Sequence, residues 1–397
     1  MDLASMIVRE DFFNHFLPTV EQYYKSVYDS PVSFAITKSI KDCNMVIKPK
    51  LSAVSSVSIS KKAREFYYSE WNIRNSIIKN IIAKSYLFIA TRTGRYFAQY
   101  RFKMSPEPED IKHIIIAPNN RSIRFFNYES DVVGCMIKDG FSSKFFNNQI
   151  RFRETYKYDF ILPMIDYGTN WFREPIMHGH PLARITDEKQ YVSSKKDSIE
   201  NMRLLAHDTV EYISSIIYIE GLFNKIMGLL ERAVSQKKIT TLQETKMILN
   251  YALQQAKTIK TFIPSVMSHG DLQTGNIWVD QNRKTWIYDW ETADRRSAWY
   301  DASVLEYSLR RNNGWKELMS IEQPVAMNLC NPQMPQETNY TAMKAIVLME
   351  DLCFYLEDLV ELPEQWGVEI YDSFIWRLME IETFKNLQKD IKRDKND

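Results

Sequence analysis

The chain has 397 residues, 45% of them hydrophobic and 25% charged, which excludes a disordered or fibrous polypeptide and gives length enough for two or three folding units. Its 51 basic and 50 acidic residues leave a formal net charge of +1, so no global field draws nucleic acid or anionic lipid to it. Four scattered cysteines, Cys43, Cys135, Cys330 and Cys353, fit neither a disulfide framework nor a zinc knuckle and suit a reducing compartment.

The first residues place acids, Asp2 and Glu10, where a secretory signal needs basic ones. No apolar run approaches the ~18 residues that a membrane span requires. A cytoplasmic protein acting on a small partner molecule is expected. Only 11 glycines are present, so any phosphate-cradling loop is poor in glycine.

In chain order, Phe12 to Val27 carries a helical pattern, with Pro18 as a point of interruption. Val32 to Ile36 and Asn44 to Ile47 read as short strands, and Leu51 to Ser60 as a polar, serine-rich piece. Ala63 to Ala83 reads as a helix because Phe66, Trp71, Ile73, Ile77 and Ile81 recur at roughly helical spacing. Leu87 to Ala90 and Tyr96 to Tyr100 are expected to pair as a hairpin around Thr93-Gly94. A Pro/Glu-rich linker from Ser105 to Asp110 follows.

Beyond the linker the pattern is that of a sheet. His113 to Ala117, Ile123 to Phe126 and Val132 to Lys138 read as strands, separated by turn chemistry at Pro118 to Arg121 and Tyr128 to Asp131. Ser142 or Ser143 can cap a helix running to Thr155, and Phe160 to Tyr167 and Trp171 to Met177 read as further strands. From Asp197 onward helices dominate: Ile199 to Arg232, Thr241 to Phe262, Thr341 to Leu362 and Glu369 to Ile391. They are interrupted by a β-rich island from Val266 to Trp290.

The island carries the chemistry. It reads Ser268-His269-Gly270-Asp271-Leu272-Gln273-Thr274-Gly275-Asn276, then an apolar strand, then Trp286-Ile287-Tyr288-Asp289-Trp290-Glu291. Phosphoryl transfer to a hydroxyl needs a carboxylate near the attacking oxygen and oxygen ligands that hold magnesium against the phosphates. A short loop can aim Asp271 at the acceptor and Asn276 at the metal, and a returning hairpin can bring Asp289 to the same metal. A hairpin whose polar residues only cap turns is the competing reading.

His269-Gly270-Asp271-Leu272 through Asn276, with Ile287-Tyr288-Asp289-Trp290-Glu291, resembles the signature of the aminoglycoside phosphotransferase/choline kinase family, distant relatives of protein kinases. The resemblance implies an α+β, bilobal protein-kinase-like fold: a small antiparallel β-sheet N-lobe and a mainly helical C-lobe, here with an extra α/β N-terminal section. The corresponding divisions are residues 1–105 as an N-terminal extension, 106–178 as the N-lobe and 179–397 as the C-lobe with the catalytic loop. It also implies ATP or GTP with Mg2+, and a small-molecule or sugar-containing hydroxyl acceptor.

Residue by residue, the resemblance makes Asp271 the catalytic carboxylate and Asn276 and Asp289 the metal ligands. Asn120, Arg121 and Ser122 fall at the nucleotide-covering loop, and Lys138 falls where a strand lysine contacts the α- and β-phosphates. Glu174, Ile176 and Met177 fall in the adenine-binding hinge, and Asp301 at an N-capping position in Tyr300-Asp301-Ala302-Ser303. Two departures stand out: the phosphate loop lacks glycine, and near the place of the acidic partner for the lysine stands Gln149, with Glu154 five positions later as the alternative. A solvated strand-end lysine remains the other reading of Lys138. His269 is read as organising the backbone beside Asp271. Trp278, Trp286, Trp290, Trp299, Tyr300 and Trp315 fit either a cage for a quaternary amine or core packing. A kinase acting on a protein or polymer and a non-catalytic nucleotide-binding pseudokinase are the alternative functions.

Overall fold

A computed structural model describes residues 6–7, 11–48, 53–65, 81–82, 85, 88–89, 93–96, 98–322, 329, 339–362 and 364–393. The chain divides into two units, Met1–Ile150 with Leu162–Ile176, and Arg151–Ile161 with Met177–Asp397.

In the first unit, strands β1 (Ser33–Ile36), β2 (Met45–Lys48), β3 (Ala53–Ser56), β4 (Arg101–Ser105), β5 (Ile114–Pro118), β6 (Ser122–Asn127), β7 (Val132–Ile137), β8 (Asp166–Tyr167) and β9 (Trp171–Pro175) form one sheet. Their order is β1-β4-β2-β3-β5-β6-β7-β9-β8, and neighbouring strands run antiparallel. The strands before residue 106 thus continue the sheet built by those after it, with Val54 of β3 opposite Ile116 of β5. At the β6–β7 turn the Asn127 side-chain oxygen accepts the amides of Glu129 and Ser130, which fixes the register of the two strands.

Helix α1 (Phe12–Tyr28) runs unbroken through Pro18 and lays Phe16, Val20, Tyr23 and Tyr24 against Ile123, Phe125 and Met136 of the sheet. Each such aromatic contributes roughly 1.5–3 kcal/mol by burial. Tyr23 stacks on Phe125 with ring centroids 3.7 Å apart. The stack fits because Gly134 has no side chain: a Cβ there would lie 2.0 Å from Tyr23 Oη. On the other face, α2 (Lys144–Thr155) sets Phe146 and Ile150 against Cys135, Ile137 and Phe172 before the chain passes into the second unit.

Several local expectations are corrected. Residues 93–96 and 88–89 are helical, so no hairpin turns at Thr93-Gly94. The serine-rich piece forms β3, because its backbone pairs with β2 and β5 whatever its composition. Helix is present at residues 61–65 and 81–82, while Phe66, Trp71, Ile73 and Ile77 lie outside the described residues. Of Phe160 to Tyr167 only the end is a strand, since Pro163 has no amide to pair; Ile161 instead bridges to Ile287 in the second unit.

The second unit is built around α8 (Tyr340–Glu361), whose side chains are buried for most of its length. It packs on α4 (Ser215–Ser235), α5 (Leu242–Ala256) and α9 (Glu364–Met379). The expected helix from Ile199 to Arg232 is two: α3 (Glu188–Thr209), capped by Asp187 on the Gln190 amide, and α4. Between them β11 (Glu211–Ser214) pairs with β12 (Phe262–Ser268), and this pairing overrides the helical pattern. The same strand ends the expected helix at Ala256 rather than Phe262. The last expected helix is also two, α9 and α10 (Glu382–Arg393). One small sheet has the order β10-β13-β14, from β10 (Gly179–Pro181), β13 (Ile277–Asp280) and β14 (Thr285–Ile287); the other, β11-β12-β15, ends with β15 (Asp294–Ser297). Among the described residues no helix is long and apolar enough to cross a membrane.

Gly134→Ala is expected to destabilise the protein by about 1–3 kcal/mol, because the added methyl overpacks the Tyr23–Phe125 stack. Denaturant unfolding followed by tyrosine fluorescence measures this. An unchanged midpoint would mean that the stack does not depend on the close approach.

Candidate active site

The site is set at the end of β12, a buried strand held between β11 and β15. Just beyond it the backbone amides of His269 and Gly270 donate to the two oxygens of Asp301, at 2.7 and 3.0 Å. Asp301 is buried in the first turn of α6 (Tyr300–Glu306), and its carboxylate caps this loop rather than its own helix. The clamp turns Gly270 to φ +84°, where a Cβ would meet the Thr292 carbonyl at 2.5 Å. Glycine is therefore required, as a left-handed residue against backbone.

His269 is buried and organises the loop. Its Nδ1 accepts the Asp271 amide at 3.2 Å and its Nε2 donates to the Tyr288 carbonyl at 2.6 Å. Its ring lies 4.6 Å from that of Trp290. The imidazole thus ties the loop before Asp271 to the strand end before Asp289.

Asp271 presents a carboxylate with defined partners. Oδ2 accepts from Gln273 Nε2 at 2.8 Å and from Asn276 Nδ2 at 3.0 Å, and Oδ1 accepts from Arg310 Nε at 2.7 Å. Asn276 Nδ2 also donates to the Asp271 carbonyl, and its oxygen Oδ1 takes no hydrogen bond from the described residues. Asn276 then opens the β13–β14 hairpin: its carbonyl accepts the Tyr288 amide at 2.8 Å, one position beyond the Ile277–Ile287 pair. Asp289 follows Tyr288 directly, so the three expected residues meet at one end of one hairpin.

Asp289 has φ +67° and ψ +55°, an uncommon left-handed conformation for a non-glycine residue. Its half-buried carboxylate takes no hydrogen bond or ion pair from the described residues. Asn276 and Asp289 thereby fit the donor set of Mg2+, a hard ion bound by one or two protein oxygens with phosphates and water. No group of three or more His, Cys, Asp or Glu that could hold a metal ion occurs among the described residues.

In the first unit, Asn120, Arg121 and Ser122 form the β5–β6 turn, where the Arg121 carbonyl accepts the Lys138 amide at 2.9 Å and its guanidinium lies over the Phe145 ring. Lys138 is only 1% exposed, with Nζ 5.1 Å from the Phe141 ring, so the solvated reading of this lysine is excluded. Gln149 is buried on α2, whereas Glu154 is exposed and pairs with Lys157 at 3.6 Å. Glu174 is buried on β9 opposite Val133, and the Ile176 amide is spent on the Asp131 carbonyl. Met177 begins the second stretch of the second unit.

The sequence reading missed Arg310 and Asp351. Arg310 lies between α6 and α7 (Gly314–Ser320) with no motif around it, and Asp351 is one of five acids on α8. Burial works against the Arg310 charge, but Asp351, with Tyr300, Tyr355 and Asp271, holds its guanidinium well above the ordinary arginine value. The aromatics answer to packing. Trp290, Trp299, Tyr300 and Trp315 are buried, and the half-buried Trp278 and Trp286 are cross-strand neighbours on the β13–β14 hairpin. Asp294 is paired with Lys225 at 3.1 Å.

No protein-family model matches the chain, and no curated protein matches it. Among solved structures it is similar to the ethanolamine kinase of Plasmodium vivax, at 13% identity over 83% of this chain and 98% of that one, with a TM-score of 0.46. It is similar to a choline/ethanolamine kinase family protein of Mesorhizobium loti, at 15% identity over 71% of this chain and 91% of that one, with a TM-score of 0.44. A thermostable mutant of aminoglycoside phosphotransferase APH(4)-Ia is 11% identical over 67% and 95% of the two chains, with a TM-score of 0.46. The structural neighbours are choline/ethanolamine kinases and aminoglycoside phosphotransferases.

Behind the site, Ser297 of β15 donates its amide and hydroxyl to the buried Glu350 of α8, which also accepts from Tyr218. Burial, against the pull of these donors and Arg296, pushes Glu350 up to about 7 from its ordinary 4.5. The raised value means that Glu350 adds stability fully below its unfolded pKa and loses it as pH rises through its folded pKa, at a cost of about 3 kcal/mol. Relative to wild type, Glu350→Gln is therefore expected to gain stability between pH 5 and pH 8, read as the difference in unfolding free energy at each pH. A constant difference across that range would contradict the assignment.

Proposed function

We propose that the chain transfers the γ-phosphoryl group of ATP, or of another nucleoside triphosphate, to a hydroxyl of a small-molecule or sugar-containing acceptor. The observation that carries this reading is the meeting of Asp271, Asn276 and Asp289 at one hairpin end. The base there is anchored by hydrogen bonds, while the Asp289 carboxylate and the Asn276 oxygen Oδ1 take none from the described residues.

In this reading Asp271 orients the acceptor hydroxyl and takes its proton, and Asn276 and Asp289 would hold Mg2+. The bound ion would neutralise charge on the β- and γ-phosphates. Lys138 and the Asn120-Arg121-Ser122 turn contribute to nucleotide binding, supported by the burial of that lysine beside a turn with a second cation. Glu174, Ile176 and Met177 flank the nucleobase. Because the Ile176 amide is already donated, base recognition along this stretch falls to Met177 and to carbonyl oxygens.

The test is a thermal-shift series of nucleoside triphosphates with and without Mg2+, followed by turnover of Asp271→Asn. A nucleotide at about a hundred times its dissociation constant should add ~2.7 kcal/mol of stability. The variant should lose roughly 10²–10⁴-fold in turnover with nucleotide affinity little changed. No shift with any nucleotide, or wild-type turnover in the variant, would refute the reading. A shift with no turnover on any hydroxyl compound would favour a non-catalytic nucleotide binder.

A further inference from the structure

The Asp271 carboxylate is nearly saturated with hydrogen bonds, and one of its donors lies far outside the motif. An ionised carboxylate offers about four acceptor positions. Gln273 and Asn276 occupy those of Oδ2, and Arg310 occupies one of Oδ1. The position left open is on Oδ1, beside the Arg310 Nε–H, and the Asp271 side chain retains 21% exposure.

Arg310 is itself fixed on every side. Its Nη1 donates to Asp351 Oδ1, and its Nη2 to the Gly270 carbonyl at 3.0 Å and Tyr300 Oη at 2.9 Å. Asp351 is held by Tyr300 Oη at 2.7 Å and Trp315 Nε1 at 2.9 Å. Phe354, one turn along α8 from Asp351, places its ring 4.2 Å from the guanidinium carbon. A planar fork uses its donors in three directions at once, which a lysine ammonium on a flexible stem does not reproduce.

We infer that Arg310 is a positioning residue that selects Oδ1 of Asp271 as the oxygen meeting the acceptor hydroxyl. The inference rests on the phosphotransfer reading above. In the step it serves, the hydroxyl proton passes to Oδ1 while the hydroxyl oxygen bonds the γ-phosphorus. The bond from that phosphorus to the β-bridging oxygen breaks, releasing the nucleoside diphosphate. Arg310 holds Oδ1 still during this exchange and also pins the Gly270 carbonyl, so the carboxylate cannot rotate away from the acceptor.

The test compares wild type, Arg310→Ala, Arg310→Lys and Asp271→Asn, reading inorganic phosphate release from Mg-ATP with water as the accepting hydroxyl. Misplacing the base should lower kcat of both arginine variants by roughly 10²-fold, with KM for Mg-ATP little changed. Millimolar guanidinium should restore part of the turnover of Arg310→Ala and none of that of Asp271→Asn. Wild-type kcat in folded Arg310→Lys would overturn the inference. So would guanidinium that raises the melting temperature of Arg310→Ala without raising its turnover. Full turnover in Asp271→Asn would instead refute the phosphotransfer reading itself.

Discussion

The buried carboxylate of Asp301 is the fixed point of the candidate site in the second unit. A desolvated carboxylate needs donors, and this one takes the two backbone amides that follow β12. Meeting that need bends the chain at Gly270 and decides where Asp271 leaves the strand. The His269 imidazole joins the bend to the Tyr288 carbonyl, so the position of Asp289 is tied to that of Asp271. One buried charge, one glycine and one ring thereby convert a sequence motif into a geometry.

A second layer holds the Asp271 carboxylate rather than the loop. Arg310, anchored on Asp351 and Tyr300 and packed on Phe354, presses on one oxygen of Asp271 while Gln273 and Asn276 hold the other. The aromatic residues around the site belong to this support. Trp315 and Tyr300 spend their polar atoms on Asp351, and Trp290 stacks on Phe152 at 4.3 Å. Rings used in this way are not free to receive a cationic acceptor.

Much of the site was legible in the sequence because its parts are local. Asp271, Asn276 and Asp289 lie on a loop and the hairpin after it, so their spacing, with the resemblance that singles them out, points to their convergence. The strands from Ile114 to Ile137 were legible for the same reason, as short alternating runs separated by Asn- and Asp-rich turns. What was not legible came from long-range pairing. The β3 strand is serine-rich and becomes a strand only by lying between β2 and β5. The β11 strand interrupts a helical pattern because β12 is available to pair with it. Arg310 and Asp351 carry no local signal, since their roles exist only after α8 packs against the loop.

In the proposed reaction Asn276 and Asp289 offer their oxygens to one divalent ion bound with a triphosphate. Electron paramagnetic resonance of Mn2+, titrated into wild type, Asn276→Ala and Asp289→Ala in the presence of ATP, tests it most directly. Wild type should take up one Mn2+ in a nucleotide-dependent manner, and each variant should bind it at least about tenfold more weakly. Mn2+ and ATP bound by both variants as by wild type would contradict the account.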